Sequence, residues 1–206
     1  VQALVFGDSQ TQGIGKALEP LLAAKGMTVK AIRHSGKSTA KLLTIAKALI
    51  NPSQYDVIYL FAGGNDPSVN TGPVMDMLAY LQGAKRVVWI GPPPATEIGN
   101  LSLARKVFGS KVKHAKYWIT SGTAATREAK NAAFKDAVTP TYATYYDVRD
   151  AFAQFPPQAD GIHVKGDTAA QIAHNLVNLP APGVSLWVWA VAAAVVVYFA
   201  RQKKRS

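Results

Sequence analysis

The chain has 206 residues, no cysteine, and 23 basic against 12 acidic side chains, a formal charge of +11. That length permits one domain with a full core and a short appendage; the missing cysteines exclude disulfides, thiolate metal sites and cysteine nucleophiles. Arg201, Lys203, Lys204 and Arg205 hold four of the bases, so the remainder stands at 19 against 12, or +7, which favours anionic surroundings such as a membrane face, an acidic glycan or nucleic acid.

Val1 to Phe6 reads as a buried strand that stops at Gly7-Asp8-Ser9. No apolar segment with a basic front precedes it, so no signal peptide is expected within these residues. Lys16 to Ala24 has helical spacing, and Met27 to Ile32 is a second strand. Ser38 to Ile50 predicts a helix, with Ser38 or Thr39 as its cap and Leu42, Leu43, Ile45, Ala46 and Leu49 on one face. Asp56 to Phe61 is a third strand, ending in Ala62-Gly63-Gly64-Asn65-Asp66. A helix over Val74 to Leu81 and a strand over Arg86 to Ile90 follow, closed by Gly91-Pro92-Pro93-Pro94. Arg127 to Val138 is a helix, Thr144 to Val148 a fifth strand and Thr168 to Val177 a last helix. Strands alternating with helices imply a parallel sheet covered on both faces.

Two segments break this rhythm. Residues 95–126 are longer than an ordinary connection. They carry Arg105, Lys106, Lys111, Lys113 and Lys116 with Phe108, Tyr117 and Trp118 among them. They read either as a solvated surface excursion or as a basic, aromatic lip beside an anionic or sugar substrate; no recognised nucleic-acid-reading module accompanies the charges. The second is Val184 to Ala200, which has no charge, carries Trp187 and Trp189 near one end and Tyr198 and Phe199 near the other, and is followed by the basic tail 201–206. A helix of that length covers about 25 Å, the short end of a membrane span. Aromatic ends and a basic stop suit a transmembrane helix, joined by a linker at 180–183 to a domain over 1–179; the alternative is a buried core helix or partner-docking helix, which would normally keep one polar face. The positive-inside rule puts the tail in the cytoplasm and the domain across the membrane; insertion as a tail anchor would leave the domain cytoplasmic.

A serine just past a buried strand stands at the carboxyl edge of the sheet, where open α/β folds place their ligands. Ser9 is therefore read as a nucleophile. Serine needs a base within reach, a group that orients the base, and donors for the oxyanion. Of the four histidines, His163 lies in Asp160-Gly161-Ile162-His163, so the Asp160 carboxylate can turn to its Nδ1 and leave Nε2 facing the serine. His34, His114 and His174 have no such partner at fixed spacing. Asp-x-x-His by itself is more often an ordinary loop. Asn65 can donate its side-chain amide to an oxyanion, although a Gly-Asn-Asp turn alone is as often without function. Gly36 can present its backbone N–H at the mouth of the helix after the second strand. All these features follow strands on one sheet edge, and that coincidence outweighs any single motif.

The sequence resembles the SGNH hydrolase superfamily, also called the GDSL-like lipase/esterase family, across residues 3 to 178. The resemblance rests on Gly7-Asp8-Ser9-Gln10-Thr11-Gln12-Gly13, on Gly36, on Gly63-Gly64-Asn65-Asp66, and on Asp160-Gly161-Ile162-His163 followed by Gly166 and Ala169. It implies a flavodoxin-like three-layer α/β/α fold with a five-stranded parallel sheet, no metal and no cofactor. It also implies Ser9 as nucleophile, His163 as base, Asp160 orienting it, and an oxyanion hole of the Ser9 and Gly36 backbone N–H groups with the Asn65 side chain. Many members hydrolyse carboxylic esters, including O-acetyl groups on sugars, short acyl esters and lipids.

Nucleotide binding is set aside: Gly36-Lys37-Ser38 ends like a P-loop, but Ala31 stands where the first glycine is needed. The Gly-x-Ser-x-Gly elbow of α/β-hydrolases is absent around Ser9. The expectation is a membrane-anchored serine esterase acting on acyl or O-acetyl esters of an anionic cell-envelope glycan or lipid, in one version carried by a phage particle. The alternative is a catalytically idle, membrane-anchored binding protein on the same fold.

Overall fold

The five expected strands form, three of them as near-continuous apolar runs (the first, third and fourth): β1 (Gln2–Gly7), β2 (Thr28–Arg33), β3 (Val57–Phe61), β4 (Val87–Ile90) and β5 (Thr144–Tyr146). They pair in the order β2-β1-β3-β4-β5, and every pairing is parallel. The computed structural model describes residues 1–94, 124–152, 164 and 166–180. Within them the helices are α1 (Ile14–Ala24), α2 (Thr39–Leu49), α3 (Gly72–Leu81), α4 (Ala124–Val138), α5 (Arg149–Phe152) and α6 (Gly166–Val177).

Strand side chains alternate between faces, and β1 shows what this does. Ala3 and Val5 join Tyr59, Phe61 and Val88 in a core under α1 and α6, where Ile14, Leu18, Leu22, Ile172 and Leu176 are buried. Leu4 and Phe6 join Ile58, Leu60 and Trp89 in a second core under α2, α3 and α4. Both faces of the sheet are therefore dry, and each fully buried Leu, Ile or Phe stabilises the fold by about 1.5–3 kcal/mol. Trp89 meets Phe134 edge-on, with ring centroids 6.5 Å apart. The edge strand β2 is only partly covered, and Lys30 on it is exposed, a charge that discourages pairing with another sheet.

The predicted helices form, and four begin two or three residues early. α3 takes in Gly72 and Pro73, because proline lacks the N–H that a first turn leaves unpaired and its fixed φ suits that position. α4 starts at Ala124 rather than Arg127, so the last residues of the supposed 95–126 excursion belong to a helix. β5 stops at Tyr146 rather than Val148. There the Asp147 carboxylate accepts from Arg149 N at 3.1 Å and turns the chain into α5. The expected cap of α2 is also corrected. Ser38 occupies the cap position without a side-chain bond to the helix; the capping group comes from the loop after β3. Asp66 Oδ1 accepts from Thr39 N at 2.7 Å and Oδ2 from Thr39 Oγ1 at 2.6 Å.

Most of the 95–126 segment, the linker beyond Pro180, the 184–200 run and the 201–206 tail lie outside the described residues. Among those described, no helix is long and apolar enough to cross a membrane.

The topology decides where chemistry can stand. The chain runs from β1 to β2 on one side, then crosses β1 to lay β3 on its other side. Connections diverge at this switch point and leave a crevice beyond the carboxyl ends of β1 and β3. Gly7 and Phe61 are paired across it, so the segments after them start side by side.

Candidate active site

Gly7 ends β1 with φ +148°, and a Cβ there would stand 2.1 Å from the Phe61 carbonyl oxygen. Only glycine allows this approach, and it brings Asp8 N within 2.9 Å of the same oxygen. Asp8 then caps the short 3₁₀ turn Ser9–Gln12: Oδ1 accepts from Gln10 N at 2.9 Å, and its carbonyl accepts from Thr11 Oγ1 at 2.6 Å. Ser9 is the first residue of this turn and is half-buried at the mouth of the crevice.

The loop after β3 lies against the same turn. Gly63 adopts φ +104°, and a Cβ on it would meet the Phe134 ring at 2.6 Å. Two residues on, Asn65 Nδ2 donates to Asp8 Oδ2 at 3.3 Å. The structure thus joins the Gly7-Asp8-Ser9 and Gly63-Gly64-Asn65-Asp66 blocks through Asp8. Gly36 stands on the same edge, three residues beyond β2, with φ +72°. Asp160 and His163 lie outside the described residues. Val164, next after His163 in sequence, is buried, and its N–H donates to Gln10 Oε1 at 3.3 Å.

Sequence reasoning missed the polar face of α4. Arg127, Lys130 and Asn131 are 3 %, 0 % and 1 % exposed. Arg127 Nη1 donates to the Pro93 carbonyl at 3.1 Å, and Asn131 Nδ2 to the Pro92 carbonyl at 2.7 Å. Lys130 Nζ donates to the Asp66 carbonyl. One helix face therefore ties down the loops after β3 and β4. Spacing at i, i+3 and i+4 on the stripe that continues through Phe134 and Val138 was the available signal.

Burial pushes the Arg127 guanidinium down to about 10, and the charge of Asp8 works against that shift. Burial, with Arg127 nearby, pushes the Lys130 ammonium down to about 8, while Asp66 opposes it. Between pH 8 and its ordinary value of 10.5, the unfolded chain keeps a proton on Lys130 that the folded chain has released. Stability from this group therefore rises with pH across that window and levels off above it. In urea titrations between pH 7 and 10.5, wild type is expected to gain on Lys130→Met as pH rises; parallel curves would refute this.

A cavity of about 160 Å³ adjoins the third block, lined by Ser38, Ala40, Asp66, Pro67, Ser68, Asn70 and Pro73. A larger one of about 410 Å³ lies between α1 and α6; neither is lined by Ser9, Gly36 or Asn65. Among the described residues no group of His, Asp and Glu is arranged to hold a metal ion.

No protein-family model and no curated protein sequence matches the chain. Solved structures do. A lipase/acylhydrolase from Enterococcus faecalis is 19% identical with a TM-score of 0.65, over 85% of this chain and 93% of that one. A carbohydrate acetylesterase from Sinorhizobium meliloti is 15% identical with a TM-score of 0.63, over 86% and 96%. Phospholipase A1 from Streptomyces albidoflavus is 18% identical with a TM-score of 0.56, over 85% and 96%. The chain is thus similar to solved SGNH/GDSL-type hydrolases over about 85% of its length, and it has their α/β fold with a five-stranded parallel sheet.

Proposed function

We propose that the chain is a serine ester hydrolase. The observation that carries the reading is the Asn65–Asp8 contact. It sets a side-chain amide donor beside the turn that begins with Ser9, at the switch-point crevice. The return of Val164 to Gln10 supports His163 as the base, because consecutive Cα atoms stand about 3.8 Å apart. In this reading Ser9 Oγ attacks the ester carbonyl while His163 takes its proton and Asp160 steadies the imidazolium. The Ser9 and Gly36 backbone N–H groups and Asn65 Nδ2 hold the oxyanion. Collapse expels the alcohol with the proton from His163 and leaves an acyl-enzyme. Water, deprotonated by His163, then releases the acid and restores Ser9.

For the substrate we propose acyl or O-acetyl esters of a cell-envelope glycan. The lipase and carbohydrate acetylesterase neighbours support ester chemistry, and the net positive charge supports an anionic polymer. Tether geometry supports a glycan over a lipid of the anchoring membrane. Lys25 Nζ donates to the Val177 carbonyl at 3.0 Å, and Arg86 Nη2 to the Pro180 carbonyl at 2.8 Å. Lys25 precedes β2 and Arg86 precedes β4, so Pro180 sits at the edge opposite Ser9. With 184–200 in a bilayer, and the domain outside the cytoplasm or in a phage particle, the crevice would face away from that membrane.

The test is fluorophosphonate labelling followed by an acyl-length series. Labelling at Ser9 and release of acetate from O-acetylated polysaccharide, with poor turnover of long acyl chains, are expected. No labelling and no turnover on any ester would favour the idle fold, and preference for long chains would remove the glycan assignment alone.

A further inference from the structure

The candidate mechanism leaves Arg127 unused, yet its burial is costly. A guanidinium loses much hydration on leaving water, and a buried ion pair seldom repays that loss. Arg127 recovers only part of it through its own donors: Nη1 reaches the Pro93 carbonyl, but Nε is buried and has no hydrogen-bond partner among the described residues. A residue kept for packing would be better replaced by an apolar one. Its charge therefore asks for a reason.

Asp8 supplies one. The carboxylate is 2 % exposed, caps the Ser9 turn with Oδ1 and receives Asn65 Nδ2 on Oδ2. Asp8 Oδ2 and Arg127 Nη1 close over the same glycine, 3.3 and 3.5 Å from where a Cβ on Gly64 would stand. An amide nitrogen carries two protons. Giving one to Asp8 fixes the plane of the Asn65 amide, and in the proposed reading the amide also serves the oxyanion. The same carboxylate, however, sets a full negative charge behind the place where the oxyanion would form, in surroundings that screen it poorly. A cation across Gly64 from it would reduce that opposition while keeping the amide in place.

We propose that Arg127 is a positioning residue for ester hydrolysis, holding Asp8 and through it the Asn65 amide, and cancelling the Asp8 charge behind the oxyanion hole. The proposal rests on the reading of Asn65 as an oxyanion donor. It assigns to α4 a part in transition-state stabilisation, whereas Lys130 on the next turn secures the Asp66 carbonyl.

The test is a charge-pair cycle on a short acyl ester, with side-chain amide NMR on the same full-length proteins. Arg127→Gln is expected to lower kcat by roughly 30- to 100-fold, part of the loss for a whole oxyanion donor, with KM little changed. Arg127→Lys keeps a cation and should recover most of that loss. Asp8→Asn with Arg127→Gln removes both charges; its single amide oxygen can accept from Asn65 at the expense of the bond from Gln10 N, and it should be at least about tenfold faster than Arg127→Gln alone. A purely structural role would make the double variant no better than the single one. Wild-type kcat in Arg127→Gln, or a double variant as slow as Arg127→Gln, would overturn the proposal. Should Arg127→Gln not fold, Arg127→Lys and the double variant carry the comparison with wild type. Should wild type itself neither turn over nor label, the hydrolase reading fails, and the Asn65 amide resonances decide the rest. Their displacement in folded Arg127 variants supports the positioning role; unchanged resonances refute it.

Discussion

Ser9→Ala is expected to lower kcat for ester hydrolysis by on the order of 10⁶-fold, the scale on which hydrolases lose activity when the nucleophile of a triad is removed. The size follows from the chemistry: without Oγ there is no acyl-enzyme, and only binding and oxyanion stabilisation remain. Melting temperature should barely move, because the turn is held by the Asp8 side chain and the Thr11 hydroxyl, not by the Ser9 hydroxyl. His163→Ala should be as severe as Ser9→Ala, and Asp160→Ala milder, at roughly 10⁴-fold, since the orienting acid contributes least of the three in such sites. His34 closes β2 on the same edge, with its N–H on the Gly7 carbonyl at 2.8 Å. It is the natural control, and His34→Ala should retain turnover. Rates on p-nitrophenyl acetate, corrected for active-site titre, give the ranking. Undiminished turnover in Ser9→Ala, or loss in His34→Ala with none in His163→Ala, would dismantle the triad.

The elements were legible wherever burial is uniform. Leu4, Val5 and Phe6 are all fully buried because both sheet faces are covered, so β1 reads as an unbroken apolar run, and β3 and β4 read likewise. Helix faces such as Leu42 with Ala46, or Ile172 with Leu176, follow the same logic at their own spacing. Where side chains act at long range the sequence is mute. Asp66 caps a helix 27 residues away, and nothing local distinguishes it from a turn aspartate. Ser38 has the right chemistry and position for a cap but makes no side-chain bond to the helix, whose first residue instead gives its N–H and hydroxyl to the Asp66 carboxylate. Arg127 and Lys130 mislead in the opposite sense, because two cations one turn apart on a helix suggest a solvated face. Their burial follows from the loops after β3 and β4, whose carbonyls need donors that the sheet does not supply. Ser9 and Asn65 could be named as candidates because each follows a strand end. Their connection through Asp8 could not be, since it depends on the β1–β3 pairing that sets Gly7 beside Phe61.

Asn65→Ala is expected to lower kcat by about 10²- to 10³-fold, or roughly 3–4 kcal/mol of transition-state stabilisation, with KM nearly unchanged. A donor whose work begins only when the carbonyl oxygen becomes an anion contributes little to ground-state binding. Its neighbour makes the contrast. Asp66→Ala removes both bonds to Thr39 and should cost about 1–2 kcal/mol of stability, the usual value of a helix cap, before any effect on rate. Asn65→Asp is the sharper probe. It is nearly isosteric, yet it sets a second carboxylate 57 residues on in sequence directly against Asp8 Oδ2. Two carboxylates at such a distance do not both ionise readily, so this variant should regain activity only as pH falls and one of them takes up a proton. Above the pH at which His163 would itself take up a proton and cease to be a base, a kcat profile rising toward acid for Asn65→Asp, flat for Asn65→Ala, would identify the Asp8–Asn65 contact as the arm of the oxyanion hole. Equal and pH-independent losses would assign Asn65 to the loop's structure alone.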